Sequence, residues 1–228
     1  MSRFYRLLIV LLFCGTFVSY SQQRIYPDYN SSSGFELDSL DAYDPLVLDN
    51  LETLARVWGF VKYHHPAMAD TTIHIDYELF GLLPRVVHAG KAERNRILSE
   101  WINELGAFEV DTTFQQELSA IDHILINDFS WVEDTVRLGS KLSQTLSDLR
   151  YAISKSNKYV WNEGVTIKLY DDPFPNYDYN HLYDAGYRLL ILFRLWNAID
   201  SYCPNRNITD TSWDKVPVSY RHLRAHET

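Results

Sequence analysis

Several residues have types and spacing that could do chemistry. Ser140 and Lys141 are adjacent. A serine–lysine dyad needs the amine within hydrogen-bonding reach of the hydroxyl, with a lowered pKa. Neighbouring side chains on a helix diverge, and Gly139–Ser140 reads as a helix start, which favours Ser140 as an N-cap. His64 and His65 precede Pro66, with His74 and Asp76 close behind. Zinc takes such ligands when several converge tetrahedrally. Adjacent histidines on a helix point apart, so one packed and one solvated histidine is the expected arrangement. The Asp171–Asp184 loop mixes tyrosines with Asp171, Asp172, Asp178 and Asp184. Its spacing matches no EF-hand, and a solvated acidic loop is expected. Arg56 and Arg194 could clamp a carboxylate, such as a peptide C-terminus, by bidentate hydrogen bonds. They recur at equivalent places, which favours a structural salt bridge to an acid such as Asp76 or Asp214.

That recurrence belongs to a repeat. The stretch LARVWGFVKYHHP at Leu54–Pro66 returns as LFRLWNAIDSYCP at Leu192–Pro204. Arg56, Trp58, Val61 and Pro66 align with Arg194, Trp196, Ile199 and Pro204 without a gap. Asp76 and Asp214 fall at the same distance past their prolines. Each copy reads as the end of an amphipathic helix stopped by proline, which removes a hydrogen bond and forces the preceding residue out of the α region. Arg56, Trp58, Pro66, Arg194, Trp196 and Pro204 are therefore expected to be a structural motif. None of them is assigned to catalysis, a cofactor or a metal.

Around the motif, hydrophobic periodicity places the other elements. Leu51, Leu54, Ala55, Trp58 and Val61 define the first helix, with Asp49 or Asn50 as its cap and Glu52 four residues before Arg56. A second helix is expected over Asp76–Val87, with a kink or break at Pro84, and a third over Ala92–Leu105, stopped by Gly106. Thr112–Phe129 reads as a loop with a short helix. Asp128–Leu138 should cover the core with Trp131, and Lys141–Ile153 reads as helical. The runs flanking Gly164 within Tyr159–Tyr170 predict a hairpin. Asp171–Tyr179, with Pro173 and Pro175, is a loop. Asp184–Tyr202 is the last helix. The fold class is mainly α, a helical bundle of repeated helix–loop–helix units with a small β-hairpin.

The 228 residues are 46% hydrophobic, enough to build a core. The net charge of −9 argues against a nucleic-acid partner, since phosphate binding needs clustered Lys and Arg. Six Trp and 16 Tyr fit a helical core with a tyrosine-rich loop; a peptide- or glycan-binding face at Tyr177–Tyr187 is the alternative. Arg3 and Arg6, the apolar run Leu7–Val18, and Ser19 and Ser21 read as an export signal over 1–21, too short to span a membrane comfortably. Phe13 before Cys14 argues against a lipoprotein signal. Cleavage leaves Cys203 without an internal disulfide partner. Residues 22–44 read as a flexible, exposed lead-in and 45–216 as the helical domain.

LARVWGFVKYHHP, DYELFGLLP, DFSWVEDT and DAGYRLLILFRLWNAIDSYCP together resemble the N-terminal region of exported S41-family serine peptidases, relatives of the tail-specific, C-terminal-processing enzymes. The match covers roughly Pro45–Val216. The resemblance implies a helical region that precedes a PDZ-like segment and an α/β catalytic domain, in a full-length protein that cleaves peptide bonds with a serine nucleophile and a lysine base. The implied partners are those downstream domains and a peptide substrate, and the implied location is periplasmic or cell-surface. The nucleophile and base belong to the later domain, so no catalytic residue is expected here. After Val216 the chain reads PVSYRHLRAHET, which resembles a translated sequencing adapter with Arg221 in place of Thr. Residues 217–228 are expected to be non-native, and the natural protein longer.

Overall fold

The computed structural model describes residues 24–38, 41–113, 129–163, 166–173, 179–203 and 213. The signal-like segment 1–21, most of Thr112–Phe129, Gly164, part of the Asp171–Tyr179 loop, Pro204, Asp214 and the tail 217–228 lie outside them. Five α-helices are described: α1 (Pro45–His64), α2 (Ile75–Val86), α3 (Lys91–Glu104), α4 (Thr135–Leu149) and α5 (Ala185–Tyr202). One antiparallel hairpin joins β1 (Val160–Glu163) to β2 (Thr166–Leu169), with Trp161 opposite Lys168. The fold is mainly α with a small hairpin, as the periodicity predicts.

α1 is the axis. It packs against α2, α3, α4 and α5. Fourteen of its twenty residues are buried, including Leu54, Trp58 and Val61. It begins earlier than the apolar spacing indicates. Asp44 is the N-cap, accepting from Leu46 N, and Pro45 takes the first turn, where a missing N–H costs nothing. Asp49 and Asn50, expected as caps, are one turn inside. Asn50 Nδ2 instead donates to Val87 O and Ala89 O at 2.9 and 2.8 Å, tying α1 to the α2–α3 turn.

α2 runs through Pro84 without a break; the proline stands near its C-terminal end, where few hydrogen bonds remain to lose. α3 ends where Gly106 takes φ 118°. α4 is two helical stretches meeting at a kink: the first follows Asp134, whose carboxylate caps Arg137 N, and the second starts after Gly139, where the pattern predicts a start. The helix is interrupted at Gly139, where φ is 69°, a backbone region open to glycine. Val132, just before α4, is buried, while Trp131 is half-buried against the core.

The two Trp helices have the same construction. α1 and α5 both end on an extended residue before proline: His65 (φ −76°, ψ 128°) bonds back to Val61 O, and Cys203 (φ −84°, ψ 113°) bonds back to Ile199 O. Trp58 Nε1 donates to Ile75 O at 2.9 Å, and Trp196 Nε1 donates to Trp213 O at 3.3 Å. Ile75 and Trp213 are the residues before the repeated aspartates.

Residues 24–38, expected as an exposed lead-in, are laid across the helices. Phe35 and Ser33 are buried. Tyr29 packs edge-on against Tyr77 and Phe80, and its carbonyl accepts from Tyr187 OH at 2.7 Å. Arg24 and Tyr26 both reach Glu78 Oε1, at 2.5 and 2.6 Å. The aromatic side chains of this polar stretch have apolar surface to cover, which its overall composition conceals.

Candidate functional site

Among the described residues, ionisable groups converge where α1, the start of α2, the feet of the hairpin and α5 meet. α1 supplies Lys62, one turn after Trp58 and wholly buried. The N-terminus of α2 supplies His74 and Asp76. The hairpin brings its two ends together, with Tyr170 N donating to Tyr159 O at 2.9 Å, so that Lys158 and Tyr159 face Asp171 and Asp172. α5 supplies Arg194.

Asp76 is fully buried and ion-paired with Arg194 Nη2, which also donates to Asp172 O at 3.0 Å. Asp172 Oδ2 accepts from Tyr159 OH at 2.6 Å and from the first α2 amide, Ile75 N, at 3.0 Å. Its Oδ1 accepts from Lys158 Nζ at 3.0 Å. Lys62 Nζ pairs with Asp171 and lies 5.0 Å from the Tyr159 ring and 5.4 Å from the Trp58 ring, within cation–π range. Two carboxylates at the N-terminus of α2 also meet the positive end of its dipole.

Burial pushes the Asp76 carboxyl up to about 6 even though Arg194 pulls it down. Burial pushes the Tyr159 hydroxyl well above its ordinary range, reinforced by Asp172. His74 is pulled down by burial despite Asp172, and its ring stacks on Tyr77 at 3.6 Å.

His74, Asp76 and Asp172 bring one ligand atom each within 4.8 Å of one another, close enough to test as a metal centre. The charge count argues against that use. Asp76, Asp171 and Asp172 are matched by Lys62, Lys158 and Arg194, so a dication would enter a neutral site and meet three cations. The ligand atoms are also committed: the Asp172 carboxylate to three donors, and His74 Nδ1 to Tyr77 N at 3.4 Å. The cluster is a closed ion network that clamps α5 and the hairpin onto α1 and α2.

The solvated-loop expectation for Asp171–Asp184 fails at Asp172, which is buried, and Asp184 serves as the N-cap of α5. Asp178 lies outside the described residues. The expectation of one packed and one solvated histidine fails as well. His64 lies against Phe60 with ring centroids 4.4 Å apart at a 30° tilt and meets Phe129 edge-on, while buried His65 packs on Phe108 and accepts from Ala67 N at 3.1 Å. Burial lowers both imidazoles to about 4, with Arg150 adding to the effect at His64 and Arg24 at His65.

Ser140 and Lys141 are both exposed. The buried serines Ser99 and Ser143 spend their hydroxyls on Asn95 O and Val132 O, at 2.8 and 2.7 Å. The buried amine of Lys62 faces a carboxylate. Arg56 pairs with Glu52 at 3.2 Å and sits over the Trp196 ring at 5.4 Å, beside a small recess shared with Thr53, Trp131 and Arg137.

Sequence reasoning missed Lys62, Lys158 and Tyr159. Lys62 carried a signal, since it continues the apolar stripe of α1 one turn after Trp58. Compared with known protein families, with curated proteins and with solved structures, the chain finds no match in any of the three. Among the described residues, no helix is long and apolar enough to cross a membrane.

Proposed function

We propose that this chain is a non-catalytic helical support region of an exported S41-type serine peptidase, acting in the periplasm or at the cell surface. Its work is to hold or gate a downstream PDZ-like segment and catalytic domain, and to help position a peptide substrate. The full-length protein cleaves peptide bonds with a serine nucleophile and a lysine base. The observation that carries the reading is how the motif residues are spent. Trp58, Arg194 and Asn197 join helices to one another, Trp196 ties α5 to Trp213, and the ionisable cluster between them is charge-balanced, its carboxylates paired with its cations. That is the chemistry of a scaffold.

The test is an open reading frame that continues into a serine-peptidase domain at the genomic locus, together with labelling by a fluorophosphonate probe. The present chain should stay unlabelled while the longer product is labelled. Labelling of Ser140 in the present chain overturns the reading.

A second reading, a standalone exported peptide- or glycan-binding module, draws on aromatic rings near the hairpin and before α5. Tyr183 is 67% exposed and Tyr170 48% exposed, and Trp161 carries Lys168 over its ring. A stop codon soon after Val216 at the locus, with tyrosine fluorescence responding to peptide or oligosaccharide, favours this module.

A further inference from the structure

α1 and α5 share their tryptophan bonds and their C-terminal geometry, but they differ in how much of them is covered. In α1, Thr53, Leu54, Val57, Phe60 and Val61 are all buried. α2, α3 and α4 all pack on that helix. Arg137 of α4 donates to Thr53 Oγ1 at 3.1 Å, and Phe60 meets the Trp131 ring at 5.6 Å. The aligned residues of α5 are Ile191, Leu192, Leu195, Ala198 and Ile199. Ile191 is 42% and Leu195 52% exposed, and the other three are half-buried.

These five residues fall at i, i+1, i+4, i+7 and i+8, which is one continuous helix face. Four are large or branched apolar side chains, and no charged residue interrupts them. The corresponding face of α1 is where helices of its own unit dock. The second unit also begins as the first does, with Trp213 O receiving the Trp196 indole where Ile75 O receives the Trp58 indole.

We propose that this face of α5 is a docking surface for a further helical segment of the same polypeptide, which packs on α5 as α3 and α4 pack on α1. The occupant is an amphipathic helix with an apolar stripe, and its polar side faces water. The proposal rests on the reading of the chain as one region of a longer exported protein.

The test uses site-specific thiol labelling in a C203S background, in the chain from residue 22 and in the longer product of the locus. L195C should react with a maleimide as fast as V136C, at an 80% exposed position, in the present chain. In the longer product L195C should slow by about a hundredfold, as buried positions that need local opening do, while V136C is unchanged. L195E should leave the melting temperature of the present chain unaltered and lower that of the longer product.

If L195C stays fast in a longer product that is an active peptidase, the docking surface is wrong and the peptidase reading stands. If the locus holds no longer frame, both fall. Protection of L195C in the present chain that grows with protein concentration, alongside a dimer in sedimentation, assigns the face to a second copy and also overturns the proposal.

Discussion

Asn197 Nδ2 donates to Ala55 O at 3.0 Å, crossing from α5 to α1 at the turn where Gly59 leaves room. The same amide donates to Phe193 O within its own helix at 2.9 Å. A Cβ on Gly59 would lie 1.9 Å from Asn197 Oδ1. In the aligned motifs, Gly59 and Asn197 occupy the same position, so the two copies interlock through their one small and one polar residue.

G59A should therefore expel the Asn197 side chain, losing two buried hydrogen bonds and part of the α1–α5 contact. The expected cost is about 2–4 kcal/mol in urea unfolding. N197A alone opens space and leaves the Ala55 carbonyl without this donor, at about 1–2 kcal/mol. The double variant G59A/N197A should be more stable than the sum of the two losses predicts, because the clash is gone. Additive losses would mean the two residues are not opposed.

Arg194 and Asp76 form the second tie between α5 and the first unit. Removing one partner of a buried pair leaves an uncompensated charge, at about 3–5 kcal/mol. R194M should lose that amount at pH 7. It should lose less at pH 5, because Asp76, already raised to about 6 by burial, will protonate readily once the guanidinium is gone. Chemical denaturation of R194M at the two pH values measures the difference; an equal loss at both would place Asp76 in solvent.

The Trp repeat and the hairpin are visible in the sequence because both are local. Arg56, Trp58 and Pro66 sit within one helix end, and the strand runs flank Gly164 at short range. The ion network is hidden because its members come from four segments: Lys62 and Asp171 are 109 residues apart, and Arg194 and Asp76 are 118 apart. Composition also misleads at the lead-in, where Tyr26, Tyr29 and Phe35 outweigh the polar residues between them. His64 and His65 diverge on the helix as geometry requires, but each direction leads to an aromatic ring. The break at Gly139 shows the limit of pattern reading: a glycine with positive φ is compatible with a start, a stop or an interruption.

Acidification should weaken the fold. His64 and His65 have folded pKa values of about 4, below the unfolded 6.5, so their contribution is present above pH 6.5 and lost as pH falls through about 4. Asp76 acts in the opposite sense, since its folded value of about 6 lies above the unfolded 3.8. Near pH 5 the unfolded chain binds two protons on the histidines while the folded chain binds one on Asp76. These three groups alone give a net uptake of one proton on unfolding, a slope of about 1.4 kcal/mol per pH unit with stability rising with pH, and His74, also lowered by burial, acts in the same sense. H65N, which keeps an acceptor for Ala67 N but cannot titrate, should flatten the slope. D76N should steepen it. Denaturation midpoints across pH 4–7 decide, and unchanged slopes in both variants would contradict the burial of these groups.

Asp184 joins the lead-in to α5, and its removal should release both. Its Oδ1 accepts from Tyr187 N at 3.0 Å as the N-cap, and its Oδ2 accepts from Ser33 N at 2.9 Å and Ser32 Oγ at 2.8 Å. Ser33 Oγ donates to the same carboxylate. Losing a cap costs about 1 kcal/mol, and the buried Ser33 donors left behind add a similar amount. D184A should therefore lower stability by about 2–3 kcal/mol and expose residues 24–38 to protease before the helices are cut. D184N separates the two roles, because asparagine can still cap Tyr187 N but brings donors toward the Ser32 and Ser33 hydroxyls. If D184A melts lower but is cut no faster within 24–38 than the parent, the lead-in is held by Tyr29 and Phe35 packing instead of by this carboxylate.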